Sequence, residues 1–172
     1  MMNKRYLLLI AALFLTGCGD VQVYDVDTKF SNVIRVEPVS KGRRSVFLRI
    51  KDVTGHASEL ATSLEQHLKT KGYSVVADPG IATYKLMVTI IKFGDDTSNG
   101  QIVEESSIRS FADRVGIAEV EITNLSGRSI KTRLMVGVNM RGGLFKAPTP
   151  QVEQFAWTRL IHRLSQAVSR MF

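Results

Sequence analysis

Three histidines, one cysteine, a pair of adjacent aspartates and a late series of arginines are the residues with chemistry to offer in this 172-residue chain. His56, His67 and His162 stand far apart in sequence, and none sits in a His-Glu-x-x-His arrangement or beside a second ligand type at metal-binding spacing. Asp95-Asp96 with Asn99 resembles the opening of a calcium loop but lacks the alternate spacing and the bidentate glutamate that such a loop uses. There is no Gly-x-Ser-x-Gly elbow, no phosphate-binding glycine loop and no dinucleotide fingerprint. Arg159, Arg163 and Arg170 follow near-helical spacing, and a planar guanidinium suits lipid phosphates or the carboxylates of a neighbouring subunit. The expectation is a protein without catalytic residues, metal or bound cofactor.

Cys18 is different, because its setting prescribes a modification. Lys4 and Arg5 give a positive start, residues 6–15 form an apolar run, and Leu15-Thr16-Gly17 leads into the cysteine through small residues. That is the layout of a secretory signal. Its apolar run falls short of the roughly 20 residues a bilayer core requires, and no later run reaches that length. The order Leu-Thr-Gly-Cys resembles the bacterial lipobox, which implies cleavage before Cys18 and acylation of its thiol and new amino group. At about 0.8 kcal/mol per buried methylene, two or three acyl chains make release negligible. Gly19 rather than aspartate follows the cysteine, which under enterobacterial sorting rules leans towards the outer membrane.

With Cys18 taken by lipid, no thiol remains for a disulfide, a thiolate metal site or a nucleophile. Removing Lys4 and Arg5 from the 23 basic residues leaves 21 against 16 acidic, a net charge of +5. That moderate surplus suits anionic headgroups or acidic partners, whereas export and anchoring exclude nucleic acid. The chain therefore divides into a signal peptide at 1–17, a polar tether at 18–31 and one domain at 32–172.

The elements that must position these residues follow from periodicity. Short strands are expected at 33–37 and 45–51. A helix follows at 56–71, where Ala57, Leu60, Ala61, Leu64 and Leu68 make one apolar stripe and Gly72 closes it. Strands at 73–77 and 83–93 come next, the second long enough to be central. Residues 94–107 read as a polar loop and 108–115 are left unassigned. A hairpin of 116–123 and 129–140 pairs Ile122 with Ile130, which sets Glu121 opposite Lys131 and Glu119 opposite Arg133. Thr149-Pro150 starts a closing helix to about residue 171, with Trp157, Leu160, Ile161, Leu164, Val168 and Met171 on its apolar stripe. The expected fold is a single α+β domain of order ββαββββα, an antiparallel or mixed sheet with two helices packed on it.

Several passages resemble the TraT lipoproteins, outer-membrane proteins of conjugative plasmids associated with surface exclusion and complement resistance. These are Ser45-Val46-Phe47-Leu48-Arg49-Ile50, the run from Leu68 through Lys71-Gly72-Tyr73 to Val75-Val76, and Asp78-Pro79 leading to Ala82-Thr83-Tyr84. The likeness continues through Ile117-Ala118-Glu119-Val120, Lys131-Thr132-Arg133 and the closing helix, so it covers most of the mature chain. TraT proteins carry a long glycine- and alanine-rich apolar stretch between the long strand and the later hairpin. Here that place holds only residues 94–107, making this a short form.

The resemblance implies a non-enzymatic, membrane-anchored lipoprotein that assembles as a homo-oligomer and is linked to surface exclusion or envelope integrity. The rival is a structural accessory lipoprotein of an envelope complex, such as a secretion or flagellar apparatus. Without the apolar stretch, nothing after Cys18 offers a spanning element, so the domain is expected to face the periplasm.

Overall fold

The computed structural model describes residues 22–52, 54–95, 113–141 and 149–172. Six strands and two helices make one two-layer α+β unit: β1 (Gln22–Phe30), β2 (Ser45–Asp52), α1 (Ala57–Thr70), β3 (Ser74–Val76), β4 (Tyr84–Asp95), β5 (Arg114–Asn124), β6 (Ser129–Arg141) and α2 (Pro150–Ser169). The order ββαββββα holds, and the sheet is mixed. Its strands lie in the order β1-β6-β5-β4-β2-β3, with β2 parallel to both β3 and β4 and the other pairs antiparallel.

Each helix forms for reasons visible locally. Leu60, Leu64 and Leu68 of α1 are fully buried, as one stripe at helical spacing requires. Gly72 takes φ 81°, a left-handed conformation that ends the helix at little cost to glycine. At the start of α2 the Thr149 hydroxyl accepts from the Val152 amide at 3.4 Å, and Pro150 fills a position where a missing N–H costs nothing. Both helices cover one face of the sheet. Their leucines meet Val46, Leu86, Val88, Val120, Ile122, Leu134 and Val136 in a single core. The β5–β6 register pairs Ile122 with Ile130, Glu121 with Lys131 and Glu119 with Arg133, as expected, and Lys131 Nζ lies 3.2 Å from a Glu121 carboxylate oxygen.

Two expectations at the start of the chain fail. The first strand does not lie at 33–37, and residues 22–30 of the expected tether form β1 instead, antiparallel to β6. The polar character of the segment is misleading, because a half-covered strand alternates. Val23 packs against the core and Val26 against a small cluster of Val115, Ile117 and Met135 on the other face, while Asp25 meets arginines of α2. Residues 33–40 are irregular. Ile34 and Val36 plug the end of the core, and the Val36 amide donates to the Met171 carbonyl at 2.8 Å rather than to a neighbouring strand.

The register also fixes which parts lie at one end of the molecule. Gln22 pairs with Arg141, Asp95 with Arg114, and Arg114 with Val138. The start of β1, the β4–β5 connection, the end of β6 and the starts of both helices therefore share one end.

Candidate functional site

Helix α2 carries Arg159, His162 and Arg163 among the polar residues singled out from the sequence, and its two flanks differ. On the flank towards β1, Asp25 receives a two-pronged contact from Arg159, with Nε to Oδ1 at 2.8 Å and Nη2 to Oδ2 at 2.9 Å. This is the fork geometry in which guanidinium and carboxylate pair best. Arg163 Nη1 adds a contact to Oδ2 at 3.8 Å, and its Nη2 donates to the Val26 carbonyl at 3.4 Å. The hydrogen bond from Arg159, followed by the nearby charge of Arg163, holds the Asp25 carboxyl below its ordinary range against the opposing effect of burial. The same bond raises the Arg159 guanidinium. The arginine series is thus split by the fold. Arg159 and Arg163 converge on one carboxylate, while Arg170 is an exposed residue at the far end of the helix.

On the flank towards α1, His67 Nε2 and His162 Nδ1 stand 3.4 Å apart, and the Ser63 and Ser165 hydroxyls share a hydrogen bond of 2.7 Å. Burial first, then the charges of His162 and Lys71, lowers the His67 imidazole from its ordinary value. An open groove of about 700 Å³ runs between the helices, lined by side chains such as Glu59, Thr62, Gln66, Gln154 and Thr158. At its upper end His56, Phe93 and Trp157 form an aromatic stack, with ring centroids 4.6 Å apart for His56–Phe93 and 5.2 Å for Phe93–Trp157. Arg114 lies over the indole at 5.5 Å and reaches Glu153 at 3.4 Å. With Phe93 and Arg114 both against it, the indole has little free face to offer a flat ligand.

His67 and His162 are brought together and His56 is held apart from them. Among the described residues no group of three or more His, Cys, Asp or Glu is placed to hold a metal ion. Asp96, Asn99 and Cys18 lie outside the described residues, as does the expected loop from residue 96 onward. Sequence reasoning missed Asp25. The signal available was the alternation of Val23, Tyr24 and Val26 around it, a β-like pattern in a segment judged by its polarity.

The family model for "Enterobacterial TraT complement resistance protein" matches residues 24–155, from β1 into α2. The chain belongs to the TraT family. The TraT complement resistance protein of Escherichia coli (strain K12) is 33% identical over 103 residues, covering 54% of this chain and 41% of that protein. A second Escherichia coli TraT complement resistance protein is 32% identical over 102 residues, covering 53% and 41%. The match thus spans about two fifths of the length of these TraT relatives. Among solved structures, the PelC dodecamer from Paraburkholderia phytofirmans aligns at a TM-score of 0.43 and 14% identity, over 83% of this chain and 96% of that one. A PDZ domain protein from Parabacteroides distasonis aligns at 0.39 and 13%, over 99% and 40%.

Proposed function

We infer that this TraT-family chain is a non-enzymatic lipoprotein, held at the outer membrane by acyl chains on Cys18, with its α+β domain on the periplasmic side. The carrying observation is the family match over residues 24–155, which begins six residues after the lipobox cysteine. No helix among the described residues is long and apolar enough to cross a membrane. The resemblance to the TraT lipoproteins implies that their glycine- and alanine-rich stretch falls in the connection between β4 and β5. The register puts that connection at the same end as the start of β1, so an insert there would emerge beside the anchor. This chain has residues 96–112 in that place, of which only Ile102, Val103, Ile108, Phe111 and Ala112 are apolar.

The role proposed is that of an envelope protein working through contacts, in assembly with copies of itself. The outer edge of β1 and, on the side away from β4, the edge of β2 beyond its three-residue pairing with β3 have no strand partner among the described residues, and such edges suit addition of a strand from a neighbour. On this reading the short form does not by itself confer surface exclusion or complement resistance.

Protease treatment of intact cells is the test. The domain should resist until the outer membrane is permeabilised, and Cys18→Ala should leave the precursor uncleaved at this site and unlabelled by palmitate. Digestion of the domain in undamaged cells would overturn the periplasmic orientation, and persistent labelling of the variant would overturn the anchor.

A further inference from the structure

We propose that the end of the domain carrying the start of β1 rests on the bilayer surface, with Phe155 and Tyr24 entering the headgroup layer. The proposal builds on the anchor at Cys18 and adds to it a second, direct contact between protein and lipid.

The argument begins with reach. Only residues 19–21 separate Cys18 from Gln22, the first residue of β1. At about 3.3–3.6 Å per fully extended residue, the backbone of Cys18, the residue to which the acyl chains attach, lies within roughly 14 Å of Gln22. Because β1 is built into the sheet through seven pairs with β6, the domain has no long leash by which to move away from the surface.

The side chains flanking this strand start are the second part. Phe155 is 53% exposed and Tyr24 45% exposed, so both rings present apolar surface outside the core. Phe155 lies four residues before Arg159 on the same stripe of α2, hence one turn nearer the helix start. Since Arg159 grips Asp25, that turn carries Phe155 towards Val23 and Gln22. Tyr24 leaves β1 on the opposite face of the sheet from Asp25. Two aromatic rings thus straddle the strand that leads to the lipid, one on each face. Rings with an apolar body favour the membrane–water interface, which gives this pair an occupant that water does not. Exposed apolar residues also occur at the other end, Ile81 at 68% and Leu125 at 69%, but Leu125 sits in the β5–β6 turn, a full strand length from the anchor.

The chain has a single tryptophan, which makes the contact measurable. The full-length lipidated protein carrying Phe155→Trp with Trp157→Phe is reconstituted into phosphatidylethanolamine–phosphatidylglycerol vesicles, with or without bromine on the upper acyl carbons. A matched protein carries Leu125→Trp with Trp157→Phe. The indole at position 155 should lose emission in brominated vesicles, while that at position 125 keeps its own. If Trp157→Phe loosens the fold, Phe155→Cys labelled with bimane, with Trp157 intact, reports the same contact through quenching by headgroup nitroxides. Equal emission at position 155 in both vesicle types, with the protein still sedimenting with lipid, overturns the proposal and leaves the anchor standing. Protection of position 155 from acrylamide without quenching by lipid also overturns it, and assigns the ring to a second copy of the chain. Failure to sediment removes the anchor itself, and this contact with it.

Discussion

The two flanks of α2 solve the same problem, joining the helix to an element far away in sequence, with opposite chemistry. Towards β1 the join is ionic: Asp25 is held by Arg159 and Arg163 across more than 130 residues of chain. Towards α1 the join is neutral, made of the His67–His162 and Ser63–Ser165 contacts above a leucine core. An ionised carboxylate between two guanidiniums gains from charge, whereas an imidazole pair is stable only while at least one ring is uncharged. The same helix is therefore tied to its neighbours by one contact that needs charge on both partners and one that is spoiled when both partners carry it.

The largest break in this comparison comes from the layer both flanks share. Leu64→Ala should cost about 2–5 kcal/mol of unfolding free energy, since the side chain is fully buried mid-stripe. A shift in denaturant midpoint no larger than that of a surface substitution would mean the core is not organised around this stripe. Next comes the ionic flank. Asp25→Asn keeps the shape but removes the charge facing Arg159 and the half-buried Arg163, and should cost about 1 kcal/mol, since the pair is bidentate but exposed to solvent. Hydrogen exchange should rise first in the β1–β6 amides, and unchanged protection of β1 would show that its backbone pairing suffices without the clasp.

Acidification sharpens the contrast because the two flanks fail in different windows. The folded His67 value lies below 6.5, so the folded state resists a proton that the unfolded chain accepts, and stability present at neutral pH is lost as pH falls from 6.5 towards the folded value. Asp25 is lowered from 3.8, so its contribution persists above 3.8 and is lost only as pH falls through that lower range. Protection of α1 and α2 amides should therefore decline at higher pH than protection of β1, and His67→Asn should remove the earlier decline. Simultaneous loss on both flanks would contradict the assignment. The smallest effect is expected in the hairpin, away from α2. Glu121→Gln should cost about 0.2–1 kcal/mol, because the Lys131 partner is largely exposed and the Ser129 hydroxyl can still donate.

These contacts also differ in how far the residues announced them. The Glu121–Lys131 pairing was legible because a five-residue turn leaves few registers, and only one of them places Val120 and Ile122 beside Ile130 and Leu134 on the core face. The helix boundaries were legible for the same local reason: Thr149-Pro150 and Gly72 act on backbone groups within a few residues of themselves. Asp25 announced nothing. Its partners are more than 130 positions away, and a carboxylate in a polar stretch looks the same whether it faces water or two arginines.

What the sequence determined alone was both helices, the central strands, the hairpin register and the leucine stripe, all set by spacings shorter than an element and its turn. Only the tertiary structure decided that residues 22–30 are a strand and 33–37 are not, that β2 runs between β3 and β4, and that Arg159 and Arg163 share Asp25 while Arg170 does not. Those choices depend on which surfaces remain after the helices have covered one face of the sheet. A half-buried edge strand is stabilised by its neighbour's free backbone groups and by distant side chains, neither of which leaves a mark in its own composition.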